Sequence, residues 1–150
     1  MSVNFILEHW KNVRAGLLET IDKFEQSELE FQPFVGGWSV RQLILHIAQE
    51  ENGEFNYGIR QVLKEFPAEY DPEMFPTLEV VKSLLKSVHD QTIEYLQGLK
   101  AGDLEKEILT PWGKTYQQID MIAHLIEHEI HHRGELSLIL GLLGKQGLDA

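Results

Sequence analysis

Apolar residues return every three or four positions through four stretches of this chain, with polar residues filling the positions between. In the first stretch Phe5, Ile6, Trp10, Val13, Leu17, Ile21 and Phe24 keep one face apolar, which predicts a helix from about Val3 to Phe24. The period is lost from Gln26 to Trp38, where Pro33, Gly36 and Gly37 mark a loop. Ser39-Val-Arg-Gln42 then shows a hydroxyl and an amide three residues apart, the capping-box pattern that satisfies the first free N–H groups of a helix. Leu43, Ile47, Phe55, Ile59, Val62 and Leu63 carry that second helix from Val40 to about Phe66. Pro67, Pro72 and Pro76 punctuate the next connection, and Thr77 is the N-cap expected for a third helix. The third helix bears Leu78, Val81, Leu84, Leu85, Val88, Thr92, Tyr95, Leu96 and Leu99.

The pattern fades between Gly102 and Thr115. Glu107 to Tyr116 reads as an extended excursion or short hairpin, with Pro111 arguing against a central strand. Thr115-Tyr-Gln-Gln118 repeats the capping-box spacing and is expected to open a fourth helix, ending near Leu143 before Gly144. Four long amphipathic helices without βαβ alternation predict an all-α four-helix bundle with a short extended excursion before the last helix. No internal repeat or change in composition divides the chain, so residues 1–150 read as one domain.

Composition narrows the function classes. At 150 residues, with 43% hydrophobic and 25% charged positions, the chain can bury a core without staples. The absence of cysteine removes disulfides, thiolate ligands and a cysteine nucleophile, and fits a reducing compartment. A formal net charge of −11 disfavours nucleic acid, whose phosphates need a cationic face. The opening MSVNFILEHWKNVR mixes acid and base among its apolar residues, unlike a secretory leader, and no apolar run reaches membrane-spanning length. The expectation is a soluble, cytoplasmic protein without a nucleic-acid or membrane partner.

Candidate chemistry lies in His124-Leu-Ile-Glu-His128-Glu-Ile-His131-His132, which holds four of the seven histidines. A four-residue step on a helix advances about 6 Å and turns only about 40°, so His124, His128 and His132 share a face. His128 and His132 can close on one ion, and neutral imidazole suits zinc, nickel, copper and iron. A third ligand must come from elsewhere, and His46, among apolar neighbours on the second helix, is the candidate. A hydrogen-bonded core histidine remains the alternative for His46 on its own. His131, turned about 100° from His132, falls outside the ligand face. His9 and His89 have no companions and read as surface histidines.

Two named patterns fit less well. His128-Glu129-Ile-His131-His132 satisfies H-E-x-x-H, in which the glutamate would be a general base, but too little chain follows for the usual third ligand. Glu129-Ile-His-His132 supplies one Glu-x-x-His of a di-iron carboxylate site, but Leu43 stands where the second would need glutamate.

The stretch Gly37-Trp38-Ser39 leading into His46, together with His124-x-x-x-His128-x-x-His131-His132-Arg133-Gly134, resembles the DinB/YfiT-like family of metal-binding four-helix bundles. The likeness extends to the helix order and the proline-rich break. It implies metal ligands at His46, His128 and His132, the positions that helix geometry also favours. Family members often carry glutamine after the Arg-Gly pair, where this chain has Glu135. A carboxylate there has two functional readings, as hydrogen-bond partner of a ligand imidazole or as catalytic proton acceptor, beside that of a solvated glutamate. Glu50, one turn after His46, invites the same readings. Gly134 suggests close approach of a neighbouring helix.

The resemblance implies a metal-dependent enzyme acting on a small molecule, either a transferase using a low-molecular-weight thiol or a hydrolase. The expected cofactor is a divalent ion, Zn²⁺ or Ni²⁺ ahead of Fe²⁺ and Mn²⁺. A homodimer is expected, as relatives are often dimers. The alternative is a non-catalytic metal-binding stress or interaction protein.

Overall fold

Ser2, Ser39 and Thr77 each accept a backbone N–H three residues on through their side-chain oxygens, and these caps set where three of the four helices begin. The computed structural model describes residues 2–148. Its helices are α1 (Val3–Ile21), α2 (Val40–Asn52), α3 (Leu78–Gln97) and α4 (Gln118–Leu142). At Ser39 the capping box is complete, since the Gln42 side chain also accepts the Ser39 N–H. The four-helix bundle expected from the apolar period is the fold observed. No helix among the described residues is long and apolar enough to cross a membrane.

Three boundaries differ from expectation, the first being α1, which ends at Ile21, short of Phe24. The second helix does not run α-helical to Phe66: it changes at Gly53 into a π-helical segment, Gly53–Ile59, and ends. Gln61 takes a φ of 54°, and the Asn56 carbonyl accepts the N–H groups of both Val62 and Leu63, which stops the helix. Val62 and Leu63 therefore lie exposed beyond it. The second capping box does not form. Thr115–Gln117 is instead strand β2, paired antiparallel with β1 (Glu107–Leu109), and α4 starts at Gln118 without a side-chain cap. The excursion is thus a short hairpin, with Pro111 in its turn.

Helix α2 packs against α3 and α4, and α1 packs against α4 and α3. Apolar side chains form two clusters, one around Leu17, Ile44, Leu85 and Leu136, the other around Trp10, Phe55, Leu96 and Ile122. Between them lies a hydrogen-bonded layer to which all four helices contribute, through the buried side chains of Arg14, Glu51, His89 and Glu129. One Arg14 nitrogen, Nη2, donates to Glu51 at 2.6 Å and to Glu129 at 2.8 Å. The Trp10 indole N–H also donates to Glu129, and His89 Nδ1 bonds Glu51. Burial opposes ionisation of Glu51, but Arg14 and His89 outweigh it and hold its carboxyl below the usual range. Burial prevails at Glu129, whose pKa is raised.

The layer corrects one expectation: His89 is no surface histidine but a member of the core, its ring edge-on to Trp10. His9 is exposed and stacks on Phe5. The glycine expectation is also revised. Nothing lies within 4 Å of where a Gly134 Cβ would stand, whereas a Cβ on Gly16 would meet Arg133 Nη1 at 2.8 Å. The close approach falls on α1, against the residue just before Gly134 on α4.

Candidate metal centre

The loop before α2 prepares one wall of the site. Gly36 turns the chain through a φ of 79°, a conformation that a Cβ would strain, and a Cβ on Gly37 would meet the Phe34 ring at 2.8 Å. This turn delivers Trp38 against His46, with ring centroids 4.4 Å apart and His132 within 6.4 Å.

The structure brings His46, on α2, together with His128 and His132, on α4. Their Nε2 atoms converge: His46 to His128 is 3.2 Å, and His128 to His132 is 3.0 Å. The remaining ring nitrogens of two of them face carboxylates. His46 Nδ1 lies 2.6 Å from Glu69 Oε1, and His132 Nδ1 lies 2.6 Å from Glu135 Oε2. A carboxylate accepts only, so each Nδ1 carries the proton and each Nε2 presents its lone pair inward.

His128 has burial against it first, then the neighbouring His132, His46 and His124, and its pKa is pushed down to about 3. His132 is lowered too, mainly by burial, with the Glu135 bond pulling the other way. His46 and His132 thus aim Nε2 lone pairs at His128 Nε2, and atoms of this kind brought so close are held together by a cation or a proton between them. For a zinc–nitrogen bond of about 2.05 Å, two ligand nitrogens stand roughly 2.9 Å apart at a right angle and 3.4 Å at the tetrahedral angle. The observed separations fall between those limits. The donor set and its spacing fit a divalent ion.

The other sequence candidates lie around this cluster. His124 is 59% exposed and sits 3.3 Å from Glu54 on the π-helical segment, one turn away from the donors. Glu50 and Glu54 are half-buried, and burial raises the pKa of both. His131 is exposed, lies 3.7 Å from Glu135 and meets the His132 ring edge-on at 4.9 Å, outside the three converging Nε2 atoms. Glu135 contacts His132 directly. Glu129 points away into the polar layer, so it cannot serve as the general base of an H-E-x-x-H site. Trp112, on the hairpin turn, packs over Gly58 and lines a cavity of about 380 Å³ with Glu54, Tyr116 and His124.

Glu69 is the contact that sequence reasoning missed. It lies 23 residues beyond His46 in a connection without periodicity, which gives no sequence signal. That connection is tied down at both sides: Gln49 Nε2 donates to the Pro67 carbonyl, and Arg41 Nη1 to that of Pro72. The polar layer was legible in principle, since Arg14 interrupts the apolar stripe Trp10, Val13, Leu17.

Known proteins share both the sequence pattern and the fold. The family model described as the DinB superfamily matches residues 9–136. A Bacillus mycoides protein named "Putative metal-dependent hydrolase" is 25% identical over 146 residues, covering 88% of this chain and 84% of its own. The crystal structure of a DinB-like protein from Bacillus cereus superposes with a TM-score of 0.77 at 17% identity, covering 97% of this chain and 95% of that one. YfiT from Bacillus subtilis, described as a probable metal-dependent hydrolase with an unusual four-helix bundle topology, gives 0.66 at 21% identity, covering 94% and 90%. The two structural likenesses carry the fold.

Proposed function

The chain belongs to the DinB superfamily, and on that premise we propose that it is a metal-dependent enzyme of hydrolase type. In this reading His46, His128 and His132 hold one divalent ion, with Zn²⁺ and Ni²⁺ favoured by the all-imidazole donor set. The observation that carries the reading is the convergence of three Nε2 atoms, two of them with tautomers set by Glu69 and Glu135. It is supported by the relatives named as metal-dependent hydrolases.

A divalent ion with an open position supplies Lewis acidity, which makes water or an external thiol a nucleophile near neutral pH. The residues of the chain do the rest. Glu69 and Glu135 keep the protons of His46 and His132 on Nδ1 and hold the rings in place. Glu135 is thus a positioning residue first, its Oε2 occupied by His132. Glu50, half-buried one turn after His46 on α2, is the carboxylate this reading assigns to take the proton released by the nucleophile, and burial raises its pKa. Trp38 shields the imidazoles from bulk water. As the chain has no cysteine, a thiol nucleophile would be a small molecule from outside.

Elemental analysis of the untagged protein beside His128→Ala tests the reading. About one divalent ion per chain is expected, and its loss in the variant. Full occupancy with unchanged affinity in His128→Ala would sink the assignment. A metal-loaded protein then justifies a screen of ester, amide and thiol-transfer substrates.

A further inference from the structure

Beside His132 the surface opens into a groove of about 510 Å³, within the range of small-molecule sites. Phe34 and Trp38 form one wall, from the loop before α2, and Leu138 and Leu142 the other, from the last turns of α4. These four are unusually exposed for their size: Phe34 68%, Trp38 41%, Leu138 66% and Leu142 57%. His132 and Glu135 stand on the same lining, so the groove and the histidine cluster are continuous. Among the described residues no lysine or arginine lines it, and its only ionisable groups are those two.

The geometry points to this groove as the subsite for a neutral, apolar arm of the substrate, an alkyl, acyl-chain or aryl group whose reacting end lies at the histidine cluster. The assignment rests on the metal-enzyme reading and adds the substrate class to it. An anionic arm is disfavoured, because Glu135 is the one carboxylate present and no cation on the lining answers it. One turn before His128 on α4, away from the groove, His124 faces Glu54 at 3.3 Å, so the charged neighbours of the cluster lie on the side that the groove does not occupy. A second copy of the chain is the poorer occupant. It would cover the face of His132 and seal the Glu135 carboxylate in an apolar interface at a desolvation cost. Gly37 lets the Phe34 ring close onto the loop backbone, since a Cβ there would come within 2.8 Å of the ring.

Hydroxamic acids test this without a known substrate, because the head group chelates a metal while the tail length is varied. Isothermal titration of the zinc-loaded full chain with aceto-, butyro-, hexano- and succinomonohydroxamic acids is the experiment. A fully buried methylene tightens binding about fourfold, so hexanohydroxamate is expected to bind at least about tenfold tighter than acetohydroxamate. The succinyl compound, with its terminal carboxylate, is expected to bind more weakly than the butyryl one. Leu138→Gln and Leu142→Gln, at exposed positions, should erase most of the tail-length gain and leave acetohydroxamate affinity unchanged.

Equal affinity along the series, with acetohydroxamate still bound, overturns the subsite and leaves the metal reading standing. No acetohydroxamate binding by the zinc-loaded wild type removes both. Sedimentation separates the subsite from an interface: if Leu138→Gln turns a dimer into monomers while the tail-length gain persists, the patch joins two copies and the proposal falls.

Discussion

His132 Nδ1 donates to Glu135 Oε2 at 2.6 Å, one helical turn along α4, and this contact decides which nitrogen of His132 faces the cluster. Removing such a partner costs a metal site about 10- to 100-fold in affinity. Glu135→Ala is therefore expected to weaken zinc binding by that factor in competition with a chromophoric chelator. Glu135→Gln, whose carbonyl oxygen still accepts the Nδ1–H, should lose less. An equal loss in both variants would assign the effect to charge and not to orientation.

Glu69 does for His46 what Glu135 does for His132, but from an exposed loop. Glu69 is half exposed on a loop whereas Glu135 is fixed on the same helix as its partner, so Glu69→Ala is expected to weaken binding less than Glu135→Ala, by about tenfold or under. The same chelator titration ranks the two.

Arg14 supplies the guanidinium that two buried carboxylates share, those of Glu51 and Glu129. Arg14→Met leaves both without that partner, a change that costs about 3–5 kcal/mol when a buried pair is broken. Urea unfolding followed by circular dichroism should show that loss. A change under about 1 kcal/mol would mean that the layer relaxes by admitting water or protons.

Acid stability follows from Glu51. Its folded pKa lies below the ordinary value of 4.5, so the unfolded chain binds the proton more readily. The ionised group therefore stabilises the fold in full above about pH 4.5, and the contribution is lost as pH falls through the lower folded value. The stability difference between wild type and Glu51→Gln should be larger at about pH 6 than at about pH 3.5. A difference independent of pH would contradict the assignment of Glu51 as the ionised partner of Arg14.

Chelation is expected to leave the protein folded. Both apolar clusters close without the three histidines, so the ion is not what holds the bundle together. Metal-free protein should keep its helical circular dichroism and a cooperative melt, with Tm lowered only by the linkage that any bound ion contributes. Loss of the cooperative melt on chelation would instead make the ion a structural staple.

The apolar period alone determined the four helices and the bundle, because burial of one face per helix depends on spacing that is written residue by residue. The same spacing put His128 and His132 on one face, and the capping chemistry of Ser39 and Thr77 fixed two helix starts. Only the tertiary structure decided what crosses between elements. Glu69 meets His46 from an irregular loop, His89 belongs to the core because it bonds Glu51 in the layer with Arg14 and Glu129, and Glu129 turns away from the histidines beside it. Thr115 lies in a strand because backbone pairing with Leu109 won over a local cap. Such contacts join residues distant in sequence, and their free energy depends on partners that no local pattern records.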